Sequence, residues 1–387
     1  MRIVHVCLAC FYVEGWGYQE NILPKHHVRM GHDVMVLTSD YAFNSRSENT
    51  VKQERDYVNV HGVHVKVLDR SSRYGGYSRF GDYEKVYEEL EIFRPDVVFV
   101  HGGQFVALKD IFSYCRRHRN VKLYIDQHAD FYNSPVKTIK QKVAAKVIYG
   151  HWIRKCAKLA QKLWGVTPWR CQYLHEVYGV PKEKIDLLVM GGDDDLIPFA
   201  RADELRTQIK KSLGIPEDAF VVCSGGKIDS TKNIHLLMQA VCEVEHHNVH
   251  AIIFGQPTAD MKEKIQQLAQ EQRCHYIGWI DSARVYDYFL ASDLVVFPGT
   301  HSVLWEQACA CGTPMVVKSW EGMHHVCVNG NGKFLYDDSV EEIKEIITGL
   351  LDEPRVYAEM KMAAEQCKNV FFYSKIAERA IGLRESG

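Results

Sequence analysis

The stretch Asp293-Leu-Val-Val-Phe-Pro-Gly-Thr-His-Ser-Val-Leu-Trp-Glu-Gln-Ala-Cys-Ala-Cys-Gly-Thr-Pro-Met-Val-Val317 limits what this chain can fold into more than any other. Leu294 to Phe297 is an apolar, β-branched run of the kind that forms a strand buried on both faces. Pro298 and Gly299 stop it. Ser302 is the expected N-cap of a helix running through Cys311, which Gly312 ends. Pro314 then leads into a second strand, Met315 to Val317. The helix therefore starts just past the carboxyl end of a parallel strand, where open α/β sheets bind ligands. Its first residues, His301, Ser302 and Val303, present free amides and a positive dipole end suited to a phosphate. Glu306, in the first turns, is suited to accept from two hydroxyls of a ribose.

The same stretch resembles the nucleotide-sugar signature of the retaining glycosyltransferases of the GT-B fold, family 4 type. That signature is a Glu, seven residues, a second Glu, and a small-residue helix ending in Gly-x-Pro. Glu306 matches the second Glu, and residues 308–314 match the small-residue helix with its Gly-x-Pro end. The first Glu would fall at Pro298 and is absent, and Thr300, His301 and Ser302 stand where the family has Gly-Phe-Gly. The missing Glu is the one that the resemblance assigns to the donor sugar. The plainer reading of the stretch is a generic βαβ unit with a buried Glu.

At 387 residues the chain has room for two domains. Its 46% hydrophobic and 25% charged residues are those of a globular protein, and a net charge of −2 argues against a nucleic-acid partner. Twelve cysteines are scattered through apolar segments and read as reduced thiols. Cys7 and Cys10 form a Cys-x-x-Cys with no second pair, which gives no zinc site. The apolar run at residues 3–13 is interrupted by His5 and reads as a first strand rather than a signal peptide.

After that strand, Gly15 and Gly17 would let backbone approach a ligand. The loop is not a Gly-x-Gly-x-x-Gly fingerprint, because position 20 is Glu. With the next strand, at 31–38, it looks like the opening of the same family, in which this loop lies under the donor phosphates. A flexible aromatic loop is expected at 74–77 and a helix at 83–93. Residues 123–130 read as a strand with a polar end. His128 matches the family's strand-end histidine that contacts the transferred sugar; a merely structural histidine is the other reading. Residues 134–163 carry Lys137, Lys140, Lys142, Lys146, Arg154, Lys155, Lys158 and Lys162 with no Asp or Glu, on two helical segments expected to break at Gly150. With Trp152 alongside, this pattern suits an anionic membrane surface. It equally suits a solvated helix face.

Residues 179–193 resemble the family's domain junction, and Asp193, Asp194 and Asp195 read as linker carboxylates. A strand at 219–224 is followed by Gly225, Gly226, Lys227 and Lys232 in a turn, then a helix at 234–244. Two cations beside a glycine turn can neutralise a diphosphate. Lys227 takes the position of the family's Arg, and Lys232 matches its Lys. Trp279 and Ile280 match the loop that meets the nucleotide base.

The expected architecture is α/β, two Rossmann-like doubly wound domains facing across a cleft, as in GT-B proteins. Residues 1–195 would form the acceptor domain, 196–370 the nucleotide-sugar donor domain, and 371–387 a helix crossing back to the first. The resemblance implies a retaining enzyme that moves a sugar from a nucleoside-diphosphate sugar to a glycan or lipid-linked acceptor in surface polysaccharide or glycoconjugate synthesis. Lys227, Lys232 and the helix start would stabilise the leaving diphosphate, and His128 would touch the sugar. No carboxylate is placed as a glycosidase-type nucleophile, and neither metal nor cofactor is expected. The expected location is cytoplasmic, with peripheral attachment to the inner face of the membrane if the basic segment binds lipid. Two alternatives remain: an epimerase or hydrolase of the same fold, and a non-catalytic sugar-nucleotide-binding protein.

Overall fold

The computed structural model describes residues 1–10, 12–43, 49–71, 81–132 and 138–383. The expected aromatic loop at 74–77 and Lys137 lie outside the described residues. By its internal contacts the chain forms two compact units, Met1–Val189 with Ile376–Gly387, and Met190–Lys375.

The first unit runs β1 (Arg2–Cys7), α1 (Gln19–Arg29), β2 (Asp33–Ser39), a hairpin of β3 (Tyr41–Phe43) and β4 (Asn49–Val51), β5 (Asp56–Val58) and β6 (His64–Leu68). It continues α2 (Val86–Phe93), β7 (Val97–His101), α3 (Leu108–Arg117), β8 (Lys122–Gln127), α4 (Ile139–Ala157), β9 (Lys162–Gly165), α5 (Pro168–Glu176) and β10 (Ile185–Leu187). The sheet order is β10-β9-β8-β7-β1-β2-β6-β5, parallel except for β5. Apolar runs such as Val97-Val-Phe-Val100 are wholly buried, because helices cover both faces of a parallel sheet. Strand order reverses between β1 and β7, so the loops after these strands open at the sheet's switch point.

Two local expectations change here. The helix at 83–93 begins only at Val86. Nor does Gly150 break the basic segment, for α4 is one helix of 19 residues. Gly150 is buried, and a Cβ there would stand 3.4 Å from the Tyr178 ring and 2.9 Å from Arg154 Nη1. Packing against Tyr178 thus keeps a residue whose intrinsic helix cost is only about 1 kcal/mol.

The second unit runs α6 (Ala202–Leu213), β11 (Phe220–Ile228), α7 (Ile234–Glu243), β12 (Val249–Pro257), α8 (Lys262–Leu268), β13 (Cys274–Gly278), α9 (Val285–Ala291) and β14 (Leu294–Phe297). Then come α10 (Leu304–Cys311), β15 (Met315–Lys318), β16 (Gly332–Leu335), α11 (Val340–Asp352) and α12 (Pro354–Cys367). Its all-parallel sheet has the order β13-β12-β11-β14-β15-β16, with the reversal between β11 and β14.

In place of the turn expected at Gly225, Gly226 and Lys227, these residues continue β11 in register with Phe254, Gly255 and Gln256 of β12. Two glycines allow this: Gly226 has φ +106° and Gly255 φ +117°, and a Cβ on Gly255 would lie 1.8 Å from the Gly226 carbonyl oxygen. The final helix, α13 (Tyr373–Ala380), is shorter than expected. In the first unit its end is tied to the sheet: Trp164 Nε1 donates to the Ala380 carbonyl at 3.2 Å, and the Tyr124 hydroxyl to that of Ile381 at 3.1 Å.

Candidate active site

In the second unit the β11 and β14 ends carry most of the expected donor residues. Lys227, next to last in β11, has a side chain 69% exposed and lies 3.3 Å from Asp229 Oδ2. The turn after β11 is held by Asp229, which accepts from the amide and hydroxyl of Thr231 at 3.0 and 2.6 Å. That turn points Lys232 at the loop before α10. Its ammonium donates to the carbonyls of Thr300 at 2.7 Å and His301 at 3.0 Å, and the Thr300 amide donates back to Thr231 at 3.0 Å. Burial pulls the Lys232 pKa below its ordinary value, against the upward pull of Asp229. The loop can come this close because residue 299 is glycine: a Cβ there would lie 2.2 Å from the Thr231 carbonyl oxygen. Lys232, Gly299, Thr300 and Ser302 are among the residues around a cavity of about 10 Å³, room for about one water.

Ser302 does not cap α10. Val303 occupies the N-cap position without a side-chain hydrogen bond, while the Ser302 carbonyl accepts from Trp305 N at 3.0 Å. The loop's carbonyls at Thr300 and His301 are engaged by Lys232, and the helix begins one residue later than expected.

Glu306, in the first turn of α10, is fully buried. Its Oε1 accepts from His301 Nε2 at 2.9 Å and from His325 Nε2 at 2.8 Å. Burial works to raise the Glu306 pKa, but the two imidazoles outweigh it and hold the carboxyl well below the usual range. Oε2 of Glu306 and Nδ1 of His325 are both buried without a hydrogen-bond partner among the described residues. His301, Glu306 and His325 are the residues of this unit whose ligand-type atoms converge closely enough to hold a cation. As they stand, both Nε2 atoms are engaged with the carboxylate. Sequence reading missed His325, which sits 19 residues beyond Glu306 in a short turn, His324–Val326, and belongs to no pattern.

Trp279 is 67% exposed and Ile280 half-buried, directly after β13. β13 lies two strand spacings from β11, roughly 10 Å along the same sheet edge.

In the first unit, Gly15 and Gly17 lie in the loop between β1 and α1, and Gly15 has φ +79°. Gln19 and Glu20, at the start of α1, are buried near the end of β8. There Asp126, fully buried, gathers three hydrogen-bond donors and an ion-pair contact with His128. Gly102 N reaches Oδ1 at 3.0 Å; His101 Nδ1, Gln19 Nε2 and His128 Nε2 reach Oδ2 at 2.9, 3.2 and 3.1 Å. His128, with a side chain 26% exposed, is also 3.9 Å from Glu20 Oε1. Burial opposes its charge, but Asp126 and Glu20 raise its pKa above the ordinary value. Sequence reading also missed Asp126, although a lone acid inside the apolar run Leu-Tyr-Ile-Asp is a visible signal.

Comparison with known proteins agrees with this organisation. Residues 23–195 match the profile described as Glycosyltransferase Family 4, and residues 206–367 the one described as Glycosyl transferases group 1. The crystal structure of a glycosyltransferase from Rickettsia africae superposes with a TM-score of 0.72 at 15% identity, covering 99% of this chain and 97% of that one. The Anabaena protein HepE in complex with UDP-glucose gives a TM-score of 0.66 at 16% identity, covering 98% of each chain. By sequence, the chain is 26% identical over 246 residues to D-inositol 3-phosphate glycosyltransferase 1 of Catenulispora acidiphila, covering 59% of this chain and 57% of the relative. It spans about half the length of the curated relatives it matches. Two Rossmann-like units, each a parallel sheet between helices, define a protein of the GT-B fold. Within that fold the chain belongs to the group 1, family 4 type of glycosyltransferases.

Proposed function

We propose that this protein is a retaining glycosyltransferase that moves a sugar from a nucleoside-diphosphate sugar to a glycan or lipid-linked acceptor. The observation that carries the reading is the pairing, at one sheet switch point, of a half-buried ammonium, Lys232, with a buried carboxylate in the next helix, Glu306. The first meets the diphosphate and the second the ribose. Lys227 adds a second cation from the end of β11, and Trp279 with Ile280 flanks the base. Gly15 and Gly17 would let backbone approach the phosphates.

As the bond to the sugar breaks, negative charge collects on the leaving diphosphate. Lys227, Lys232 and the amides at His301 to Val303 stabilise it, because countercharges fixed in advance need no reorganisation. His128 contacts the reacting sugar. The acceptor attacks on the face that the diphosphate leaves, which retains the anomeric configuration. This chemistry draws its countercharge from lysines and calls for no metal ion.

Among the described residues no helix is long and apolar enough to cross a membrane. The outer side of α4 exposes Val143, Lys146 and Val147, one turn apart. That surface suits peripheral attachment to an anionic leaflet on the cytoplasmic side, which fits a lipid-linked acceptor of surface polysaccharide synthesis.

The test is a panel of UDP-, GDP- and TDP-sugars, screened first for thermal stabilisation of the protein and then for transfer to lipid-linked and free glycan acceptors. Retention is read from the anomeric NMR signal of the product. Stabilisation by one nucleotide series and sugar transfer from it support the reading; binding without turnover across the panel overturns it.

A further inference from the structure

Three histidines in the interior of the first unit take no part in the function above. His5 lies in β1, His27 in α1 and His101 at the end of β7, and all three are fully buried. They form one chain. His27 Nε2 is 2.9 Å from the Ala377 carbonyl oxygen, and His27 Nδ1 is 2.9 Å from His5 Nε2. His5 Nδ1 is 2.9 Å from His101 Nε2, and His101 Nδ1 is 2.9 Å from Asp126 Oδ2. The His5 ring stacks on both neighbours, with centroids 5.0 Å from His27 and 5.2 Å from His101.

The carbonyl end gives the chain a direction. A carbonyl only accepts, so His27 must carry its proton on Nε2. Burial pulls the His27 pKa down to about 3 despite the Ala377 contact, and holds His5 well below its ordinary value, so both rings are neutral. His27 Nδ1 then accepts, and His5 must donate from Nε2. His5 Nδ1 accepts in turn, so His101 must donate from Nε2. One proton remains to be placed, between His101 Nδ1 and Asp126. Asp126 already receives the Gly102 amide and the Gln19 amide, and pairs with His128 at 3.1 Å. That is a donor set for a carboxylate rather than a carboxylic acid. His101 therefore carries both ring protons. Burial opposes its charge, but Asp126, with Cys7 and Glu20 adding to it, pushes its pKa up to about 9.

We propose that Ala377, His27, His5 and His101 form a one-directional hydrogen-bond chain that keeps a buried imidazolium at His101 against Asp126, and that His101 is thereby a positioning residue for His128. The imidazolium neutralises Asp126 from behind, so His128 is not its only cationic partner. It also fixes Oδ2, which lies 3.1 Å from His128 Nε2 and holds that ring by charge, and this assigns His128 the task of meeting a ligand through its other ring nitrogen. Because the far end is a backbone carbonyl, the chain conducts no proton; it holds charge in place. The consequence for a bound sugar rests on the role proposed for His128, whereas the charge arrangement itself does not.

Nitrogen-15 NMR of the full chain, labelled at histidine, tests this between pH 6 and 9. His5→Asn, His27→Asn and His101→Gln assign the signals. The unsubstituted protein is expected to show His5 and His27 neutral with the proton on Nε2 throughout, and His101 doubly protonated at pH 7.5. A neutral His101 at that pH overturns the proposal, and this readout needs no variant beyond those used for assignment. In folded His101→Gln, His128 becomes the main cationic partner of Asp126, with Arg170 and Glu20 its other charged neighbours. Its titration midpoint is expected to rise by about one unit, a tenfold gain in proton affinity. An unmoved midpoint overturns the positioning role, since a merely structural His101 would leave it in place. Neither measurement uses a sugar donor, so failure of the donor assignment and failure of this proposal remain separable.

Discussion

The ammonium of Lys232 donates to the carbonyl oxygen of Thr300 at 2.7 Å, so the turn after β11 holds the loop that leads into α10. A second bond, to the His301 carbonyl at 3.0 Å, completes the clasp. An ionised phosphate is a stronger acceptor than a neutral carbonyl. The diphosphate proposed to bind here would therefore exchange these carbonyls for its own oxygens.

Lys232→Ala is expected to weaken binding of UDP, or of the nucleotide that stabilises the protein best, by about 1.5–3 kcal/mol, since it removes a charge-assisted contact. Lys227→Ala should cost less than about 1 kcal/mol, because its side chain is 69% exposed and water screens it. Isothermal titration calorimetry measures both. Equal losses, or none at Lys232, would remove the diphosphate from this turn.

Glu306→Ala leaves two buried imidazoles without their shared acceptor. Breaking such a buried pair is expected to destabilise the second unit by about 3–5 kcal/mol. Glu306→Gln keeps an oxygen for the histidines and should cost much less stability while still impairing nucleotide binding. Urea denaturation followed at several wavelengths separates these effects. A Glu306→Ala protein as stable as its parent would contradict the buried clasp.

If His128 touches the reacting sugar, His128→Ala should lower turnover by more than it weakens donor affinity, because contacts made in the transition state act on the rate. Single-turnover kinetics beside equilibrium donor binding gives the comparison. Normal turnover would leave His128 as part of the Asp126 network alone.

The buried histidines set a pH profile. His5 and His27 have folded pKa values below the unfolded value of about 6.5. Their contribution is complete above that value and is lost at acid pH, for His27 as pH falls toward about 3. The low-held carboxyls of Asp126 and Glu306 are likewise lost at acid pH, as it drops through their folded values. His101 runs the other way: its contribution is full below about 6.5 and disappears as pH rises through about 9. Stability should therefore peak near pH 6.5–7 and decline on both sides, as read from denaturant midpoints between pH 4 and 10. A flat profile over that range would be incompatible with the buried charges described.

For membrane attachment, the exposed Lys146 and Lys158 are the informative positions on and just beyond α4. Lys155 already covers the Trp152 ring at 4.5 Å, and Arg154 is engaged by the Tyr178 carbonyl at 2.7 Å. Co-sedimentation with anionic vesicles at low salt is expected to fall severalfold when Lys146 and Lys158 become Glu, each basic residue contributing about 1 kcal/mol. Equal recovery with neutral and anionic vesicles would end the idea.

The two-domain α/β architecture was legible because apolar β-branched runs, each closed by Gly or Pro, mark parallel strands by local chemistry alone. Phe220 to Ser224 and Leu294 to Phe297 are such runs. Glu306 and Lys232 were singled out in the sequence by their match to the family's signature. Their surroundings were not, because His325 reaches Glu306 from a separate turn, and the carbonyls that Lys232 clasps belong to a loop 68 residues away.

By itself the sequence determined the strands, the family and the residue types at the two sheet edges, since each follows from neighbours within a few positions. Only the tertiary structure decided where charge resides. His5 read as an interruption in an apolar strand, and nothing local distinguishes it from a histidine in need of water. It becomes the middle of a chain only when β1, β7 and α1 bring His101 and His27 within 2.9 Å on either side. Protonation follows from burial and from which partner must donate, and both are properties of the assembled core.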